Sequence, residues 1–157
     1  RGEPCRLTLA GTGRVARLYT EPDLHLAAPG DPLTFQSRIV RYLRRAATSD
    51  LGDAVERHCA TLGVYAMRIS VKDTRSRWGS CTSDGRLSFS WRLVCAPPEV
   101  LDYVAAHECA HLIEMNHSPA FWAEVARCRP DWKIQRDWLR SYGRDLHAIG
   151  AGSPVAA

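Results

Sequence analysis

The stretch His107-Glu108-Cys109-Ala110-His111, followed six positions later by His117, decides the fold assignment of this chain. Residues four apart lie one above the other on a helix, so a helix would present His107 and His111 on one face. Two imidazoles in this arrangement can bind one metal ion, and Glu108 would lie at the edge of that face as a general base. The spacing therefore predicts a metal-binding helix that carries its own catalytic carboxylate.

The position of His117 requires the helix to end before it. A continuous helix would carry His117 about 15 Å along the axis from His107 and turn it away from the ligand face. We expect the helix to end at Met115-Asn116, with the asparagine in the left-handed conformation. Ser118 and Pro119 would then start a new helix as N-cap and first residue. From the turn between the helices, His117 can complete three protein ligands for zinc and leave a fourth position for water.

Composition predicts one soluble domain. The chain has 157 residues, 45% of them hydrophobic, and a formal net charge of +4, which is enough for a hydrophobic core. It contains neither an apolar run long enough for a membrane span nor a signal-peptide pattern, so we predict a cytoplasmic protein with no membrane partner. Its six scattered cysteines favour free thiols over disulfides, and Cys109 should point into the core.

Four segments are expected within this single domain of residues 1–157. They are N-terminal strands (1–31), helices (32–63), a metal-binding core (64–147) and a mobile tail (148–157).

The N-terminal segments follow local turn and cap signals. Alternating residues in 6–10 and 14–20 around Gly11-Thr12-Gly13 predict a hairpin. Asp31-Pro32 predicts the start of a helix through about Ala47, and Ser49 or Asp50 predicts the cap of a second helix that ends at Gly63.

A stripe of arginines, Arg38, Arg41 and Arg45, shares one face of the first predicted helix. Such a stripe could contact nucleic acid, although a solvated helix face is the more common explanation.

The core segment begins with two strands. Residues 64–71 and 87–94 both alternate, and we expect them to pair. The connection from Lys72 to Arg86 is long for a hairpin loop, and long loops are often functional. Pro97-Pro98 then leads directly into the metal-binding helix.

Two further helices are expected after the histidines. Pro119 to Cys128 and Asp131 to Tyr142 are separated by Pro130, with Gly143 as a natural C-cap. Their aromatic residues should contribute to the core: Phe121, Trp122, Trp132 and Trp138.

Several longer stretches match a known pattern. They are Ser76-Arg77-Trp78-Gly79-Ser80-Cys81, Trp91-Arg92-Leu93-Val94, Ala96-Pro97-Pro98-Glu99-Val100-Leu101-Asp102-Tyr103-Val104, and Met115-Asn116-His117-Ser118-Pro119 with Phe121-Trp122. Together with the histidine motif they resemble the YgjP-like metallopeptidase family over about residues 64–143. That family is in turn similar to the SprT-like and WLM zinc peptidases of the zincin class. Cys109 and the N-terminal third depart from its pattern.

The resemblance implies a small α+β zincin fold, with a short, mostly antiparallel sheet packed on helices. It implies one zinc ion bound by His107, His111 and His117, and Glu108 as the catalytic base. By the same resemblance, strand 87–94 would pair with an extended protein or peptide substrate. Because backbone pairing confers little sequence specificity, flexible or unfolded segments would be preferred. Candidate substrate contacts are Phe89, Ser90, Trp91, Tyr103 and Arg77, and Tyr103 is the best placed to stabilise an oxyanion.

Three alternatives stay open at this point. A thiolate of Cys81 could occupy the fourth zinc position and hold the enzyme latent, although a buried structural thiol is the more common role. The domain could be a zinc-containing binding module without turnover, associated with nucleic acid. It could also be a hydrolase that acts on something other than a peptide. The sequence predicts no oligomeric state, and His25, His58 and His147 have no spacing that marks them.

Overall fold

Strands and helices segregate along the chain instead of alternating in βαβ units. The computed structural model describes residues 1–10 and 13–150, and within them it has four α-helices and two small mixed sheets, which confirms the predicted α+β class. The elements are β1 (Arg6–Leu9), β2 (Arg17–Tyr19), β3 (His25–Ala28), α1 (Pro32–Leu62), β4 (Arg68–Lys72), β5 (Gly79–Cys81), β6 (Arg86–Ser90), a 3-10 helix (Trp91–Cys95), α2 (Pro98–Ala110), α3 (Pro119–Cys128) and α4 (Trp132–Ala148).

Helix α1 runs uninterrupted for 31 residues. It starts as predicted, with the Asp31 side chain accepting a hydrogen bond from the Thr34 N–H at 3.0 Å, and it ends at Gly63 in the left-handed conformation. The predicted break at Ser49 or Asp50 is wrong. Apolar side chains continue at helical spacing across this point, and their burial outweighs the local capping preference of serine and aspartate. The buried side chains around the expected break are Ala47, Leu51, Ala54 and Val55.

The first sheet has the order β1-β3-β2, with β3 parallel to β1 and antiparallel to β2. The predicted hairpin is therefore wrong, because both of its strands pair with β3 and not with each other. Gly11 and Thr12 of the expected turn lie outside the described residues. Strand β3 takes the central place because its Leu26 and Ala28 are buried against the first half of α1.

The second sheet has the order β4-β6-β5, with β6 parallel to β4 and antiparallel to β5. The expected pairing of the two core strands is confirmed, but the sheet is mixed and not mostly antiparallel. The long connection contains the extra strand β5. Strand β6 also ends at Ser90, not at Val94, and the chain continues as the 3-10 helix. Trp91, Leu93 and Val94 are all buried there, so the pattern of apolar residues did not distinguish a strand from a tight helix.

The main core lies between α1, α2, α3 and β6. Its largest fully buried side chains include Trp91, Phe89 and Phe121. Cys109 is fully buried, with its Sγ 3.8 Å from the Sγ of Cys59 on α1, which confirms its predicted place in the core.

The C-terminal helices begin and break where the sequence predicts, with Pro130 between them. Gly143 does not cap the last helix, since α4 continues to Ala148 and buries this glycine against Trp78. Of the expected core aromatics, Phe121 and Trp132 are buried, whereas Trp122 and Trp138 are half-buried. Residues 151–157 of the predicted tail are not described. Within the described part of the chain, no helix has the length and apolarity needed to cross a membrane.

Candidate metal centre

Helix α2 positions the first two histidines. Its body is buried on several sides, and it ends at Ala110 with His111 as C-cap in the right-handed conformation. The prediction that the helix ends at Met115-Asn116 is wrong. No described residue other than glycine has a positive φ, so the asparagine is not left-handed. The chain instead leaves the helix through a turn in which the Glu114 N–H bonds to the Ala110 carbonyl at 3.0 Å.

Helix α3 fixes the third histidine from the other side. Ser118 is its N-cap and accepts a hydrogen bond from the Phe121 N–H at 3.2 Å, and Pro119 is its first residue, both as predicted. His117 therefore precedes a capped helix start and points back towards α2.

The three histidines come together in space. One ring nitrogen from each of His107, His111 and His117 lies within 4.8 Å of the others. The Nε2 atoms of His107 and His117 are 3.1 Å apart. Tetrahedral zinc with Zn–N bonds of about 2.0–2.1 Å would separate neighbouring ligand nitrogens by about 3.3 Å. The donor set therefore fits a single metal ion, and among the described residues no other group of histidine, cysteine or acidic side chains forms such a cluster.

Hydrogen bonding and burial keep His107 and His111 in the neutral form that binds metal. The Nδ1 of His111 lies 3.0 Å from the Glu114 carbonyl oxygen. Because a carbonyl only accepts, this nitrogen must carry the proton, which leaves Nε2 with its lone pair. Burial, together with repulsion from the two neighbouring imidazoles, lowers the pKa of His107 to about 3. Burial also lowers the pKa of His111.

Aromatic rings form a wall around the cluster. The Phe121 ring lies 4.8, 4.4 and 4.8 Å from the rings of His107, His111 and His117. Trp122 lies 5.7 Å from His107 and 5.9 Å from His117. The sequence indicated these aromatics only as core residues. Their contacts restrict the imidazole orientations and keep water away from one side of the cluster.

Glu108 is buried, with a relative exposure of 5%, and burial raises the pKa of its carboxyl to about 8. A cation bound by the three imidazoles would lower this pKa again. The Glu108 side chain packs directly on Gly79 of β5. A Cβ at position 79 would lie 2.6 Å from the Cγ and 2.7 Å from the Cδ of Glu108, so this contact requires glycine. The sequence marked the surrounding loop as functional but did not single out Gly79.

Among the described residues, no strand pairs with the outer edge of β5, whereas β6 is paired on both sides. The Ser90 N–H bonds to the Trp78 carbonyl at 2.9 Å, and the Thr82 N–H bonds to the Arg86 carbonyl at 3.0 Å. With Gly79 opposite Phe89, this pattern makes Gly79 and Cys81 the members of β5 that do not bond to β6. Their N–H and C=O groups therefore point away from the sheet.

The predicted substrate strand is accordingly wrong. Strand β6 is paired on both sides, and the side chains of Phe89, Ser90 and Trp91 are all buried. Sequence alternation identified the most buried strand, whereas the strand at the free edge has only three residues and no such pattern.

The other side chains that the sequence suggested as substrate contacts or as a zinc ligand lie in different surroundings. Tyr103 is buried, its ring lies 6.0 Å from that of His107, and burial raises the pKa of its phenol to about 12. Arg77 is exposed just before β5. Cys81 does not join the histidine cluster. Burial, followed by the charges of Glu108 and Asp84, raises the pKa of the Cys81 thiol to about 11, so the structure offers no support for a zinc-binding thiolate here.

A partly buried polar network behind α2 was not predicted. Asp102 accepts hydrogen bonds from His58 at 2.9 Å, Arg57 at 2.9 Å and Arg129 at 3.0 Å. Burial alone would raise the pKa of Asp102, but these hydrogen bonds and charges outweigh it and lower the pKa to about 2. The network ties α2 to α1 and to the end of α3. Its members are far apart in sequence, which is why no local spacing indicated them.

Comparison with known proteins agrees with this geometry. The family model described as YgjP-like, metallopeptidase domain, matches residues 1–142, which extends the resemblance through the N-terminal third. Among solved structures, the chain is similar to the metallopeptidase zymogen of Pyrococcus abyssi abylysin, with a TM-score of 0.54 and 22% identity over 60% of this chain and 96% of that chain. That likeness shows the fold. A comparison with curated proteins gives no match. The chain therefore belongs to the YgjP-like metallopeptidase family.

Proposed function

We propose that the chain is a zinc-dependent peptidase that hydrolyses peptide bonds in flexible or unfolded protein segments. One observation carries the proposal: three imidazole nitrogens converge within 4.8 Å beside a buried carboxylate, next to a free strand edge. The family assignment supports a peptidase with a catalytic metal. The identity of the metal, the substrate class and the residue roles are part of the proposal.

His107, His111 and His117 would hold the metal. Three neutral imidazoles are a ligand set that zinc uses in catalytic sites, where it keeps one position open. Zinc bound there would act as a Lewis acid that activates water and polarises a carbonyl. The hydrogen bond from His111 to the Glu114 carbonyl occupies Nδ1 and leaves Nε2 as the nitrogen that would bind the metal.

Glu108 would act as the general base. It follows His107 on α2 and is shielded from bulk solvent, so a proton that it takes from the attacking water is not lost to the surroundings. It would pass that proton to the leaving nitrogen of the substrate. The contact with Gly79 holds the carboxylate in one place.

Strand β5 would bind the substrate backbone. Gly79 and Cys81 offer N–H and C=O groups at its free edge, and an extended chain could pair with them. A folded substrate cannot present an extended strand without first unfolding locally, so the preference should be for flexible segments.

Tyr103 is the proposed donor to the developing oxyanion. With a pKa of about 12 its phenol stays protonated at neutral pH and can donate a hydrogen bond. Tyr103→Phe keeps the ring that packs on His107 and removes only the hydroxyl. We expect a decrease of about tenfold or more in kcat with zinc content unchanged.

The direct test is cleavage of casein by the zinc-loaded chain, with Glu108→Gln as the matched variant. The proposal expects cleavage by the wild type, loss of cleavage in Glu108→Gln, and one zinc per chain in both proteins. A tightly folded protein should be cut more slowly than its denatured form. If Glu108→Gln cleaves casein as fast as the wild type, the proposed mechanism is wrong.

A further inference from the structure

The last turns of α4 lie against the loop that carries β5 to the metal centre. This loop, residues 73–78, connects β4 to β5. At its start, the guanidinium of Arg92, which is 3% exposed, donates hydrogen bonds to the Asp73 carboxylate and to the Ile149 carbonyl, the latter at 2.8 Å. The beginning of the loop is thus tied to the chain just after α4.

At the end of the loop, Trp78 packs on α4 itself. Its ring stacks on His147 with centroids 3.8 Å apart and planes 20° from parallel. It also covers Gly143, where a Cβ would lie 3.2 Å from Cζ2 of the indole. The Trp78 carbonyl accepts the hydrogen bond from Ser90 that starts the β5–β6 pairing.

The next residue in the chain is Gly79, whose backbone touches Glu108. Trp78, which contacts α4, and Gly79, which contacts the proposed base Glu108, are therefore neighbours in the chain. Because the residues that follow Trp78 are paired with β6, no flexible linker separates the Trp78 backbone from Gly79, and a displacement of one moves the other.

The conformation of α4 does not require a glycine at position 143. Gly143 lies inside α4 with five residues after it and does not have a positive φ. Helix interiors favour alanine over glycine, so the missing Cβ costs helix stability. The close approach of Trp78 is the contact that a side chain at this position would disturb.

We propose that Gly143 and Trp78 are positioning residues that set the distance of β5 from Glu108. The C-terminal turns of α4, with Gly143 and His147, form a support for the Trp78 ring. Because Gly143 has no side chain, Trp78 packs close to α4, and this position keeps Gly79 in contact with the Glu108 carboxylate. The catalytic consequence rests on the proposed peptidase function, whereas the structural consequence does not.

The test introduces a methyl group at the support. Gly143→Ala should push Trp78 outward and lower kcat about tenfold, with KM within about twofold, because displacements of an ångström or less at a reacting centre have effects of this size. Zinc content should stay at the wild-type level. Gly52→Ala is the matched control, since Gly52 lies inside α1 and a Cβ there would meet no atom within 4 Å. It should keep wild-type kcat.

A second substitution separates positioning from a loss of folded enzyme. Trp78→Phe removes the atom that a Cβ at position 143 would approach. In the double variant with Gly143→Ala, kcat should recover to within about threefold of the wild type. A merely destabilising effect would instead become worse in the double variant. Wild-type kcat in Gly143→Ala, or no recovery in the double variant, would overturn the proposal.

Amide hydrogen exchange tests the inference without catalysis. In Gly143→Ala, the amides of Ser80 and Thr82 that bond to β6 should exchange faster, and in Gly52→Ala they should not. If casein is not cleaved by any form but this exchange difference appears, the peptidase proposal fails and the support remains. Unchanged exchange in Gly143→Ala would contradict the support itself.

Discussion

The two sheets of this molecule have the same strand connectivity, but they differ in burial and in the elements that they lead to. In each, the last strand in sequence lies in the middle, parallel to the first strand and antiparallel to the second. In the first sheet, β1 and β2 are largely exposed and β3 buries a small cluster against α1. In the second, β6 is part of the main core and leads through the 3-10 helix into α2.

Two sheets with the same connectivity therefore differ in whether they contribute to the candidate metal centre. The second sheet contributes to the candidate metal centre in two ways. Its strand β6 leads through the 3-10 helix to the histidine-bearing helix α2, and its edge strand β5 contacts Glu108. In the first sheet, the central strand leads into α1, whose buried face supports the core. Substitutions at corresponding places in the two sheets should therefore have very different effects.

The largest difference is expected at the edge strands. Gly79→Ala in β5 would place a Cβ against Glu108 and should lower kcat/KM by about 100-fold, since it moves a reacting group. Arg17→Ala in β2, at an exposed position, should leave kcat/KM unchanged. Steady-state kinetics with zinc content and circular dichroism as controls would measure both. Equal kcat/KM of the two variants would show that the edge strands of the two sheets do not differ in their effect on the site.

The central strands should differ in stability. Phe89→Ala in β6 empties a site that is 1% exposed inside the main core and should cost about 3–5 kcal/mol of unfolding free energy. Leu26→Ala in β3 should cost less, about 2–3 kcal/mol, because the exposed neighbouring strands can relax into the space. Urea unfolding gives both values. An effect of Leu26→Ala on zinc affinity would contradict the separation of the two regions.

The network behind α2 should make stability depend on pH. The pKa of Asp102 in the folded chain is about 2, below its unfolded value of about 3.9, so the ionised form favours the folded state. This contribution, roughly 2 kcal/mol, is fully present above about pH 5 and is lost as the pH falls through about 2. Asp102→Asn should be less stable near neutral pH and show a flatter dependence below pH 5. If the unfolding free energy of this variant changed with pH below 5 as steeply as that of the wild type, Asp102 would not be the cause of the pH dependence.

The smallest effect is expected on the outer face of the first sheet. Arg6 and Asp23 form an ion pair of 3.1 Å in which both side chains are more than half exposed. Exposed pairs of this kind contribute about 0–1 kcal/mol and weaken with salt. Arg6→Ala should therefore shift the unfolding midpoint only slightly, and less at high ionic strength. A cost above 2 kcal/mol would show that the first sheet is more tightly coupled than its exposure indicates.

Local spacing in the sequence predicts the features that depend on neighbouring residues. The histidine helix, the turn before Ser118 and the start of α1 at Asp31 follow from residues within one or two helical turns. The α+β class and the family also follow from the motifs, and both are confirmed.

The features that the sequence did not predict depend on long-range packing. The continuity of α1, the parallel pairing of β4 with β6 and the burial of Gly143 all depend on residues distant in sequence. Cytoplasmic localisation, a relation to SprT-like and WLM peptidases, and nucleic-acid association through Arg38, Arg41 and Arg45 stay predictions, because no structural contact bears on them.

Zinc K-edge X-ray absorption on the zinc-loaded chain would show directly which atoms bind the metal. We expect one zinc per chain with three imidazole nitrogens and one oxygen at about 2.0–2.1 Å, and loss of the imidazole signal from one ligand in His117→Ala. A sulfur scatterer at about 2.3 Å would place Cys81 or another thiol on the metal. That result, or an unchanged spectrum in His117→Ala, would contradict the three-histidine site.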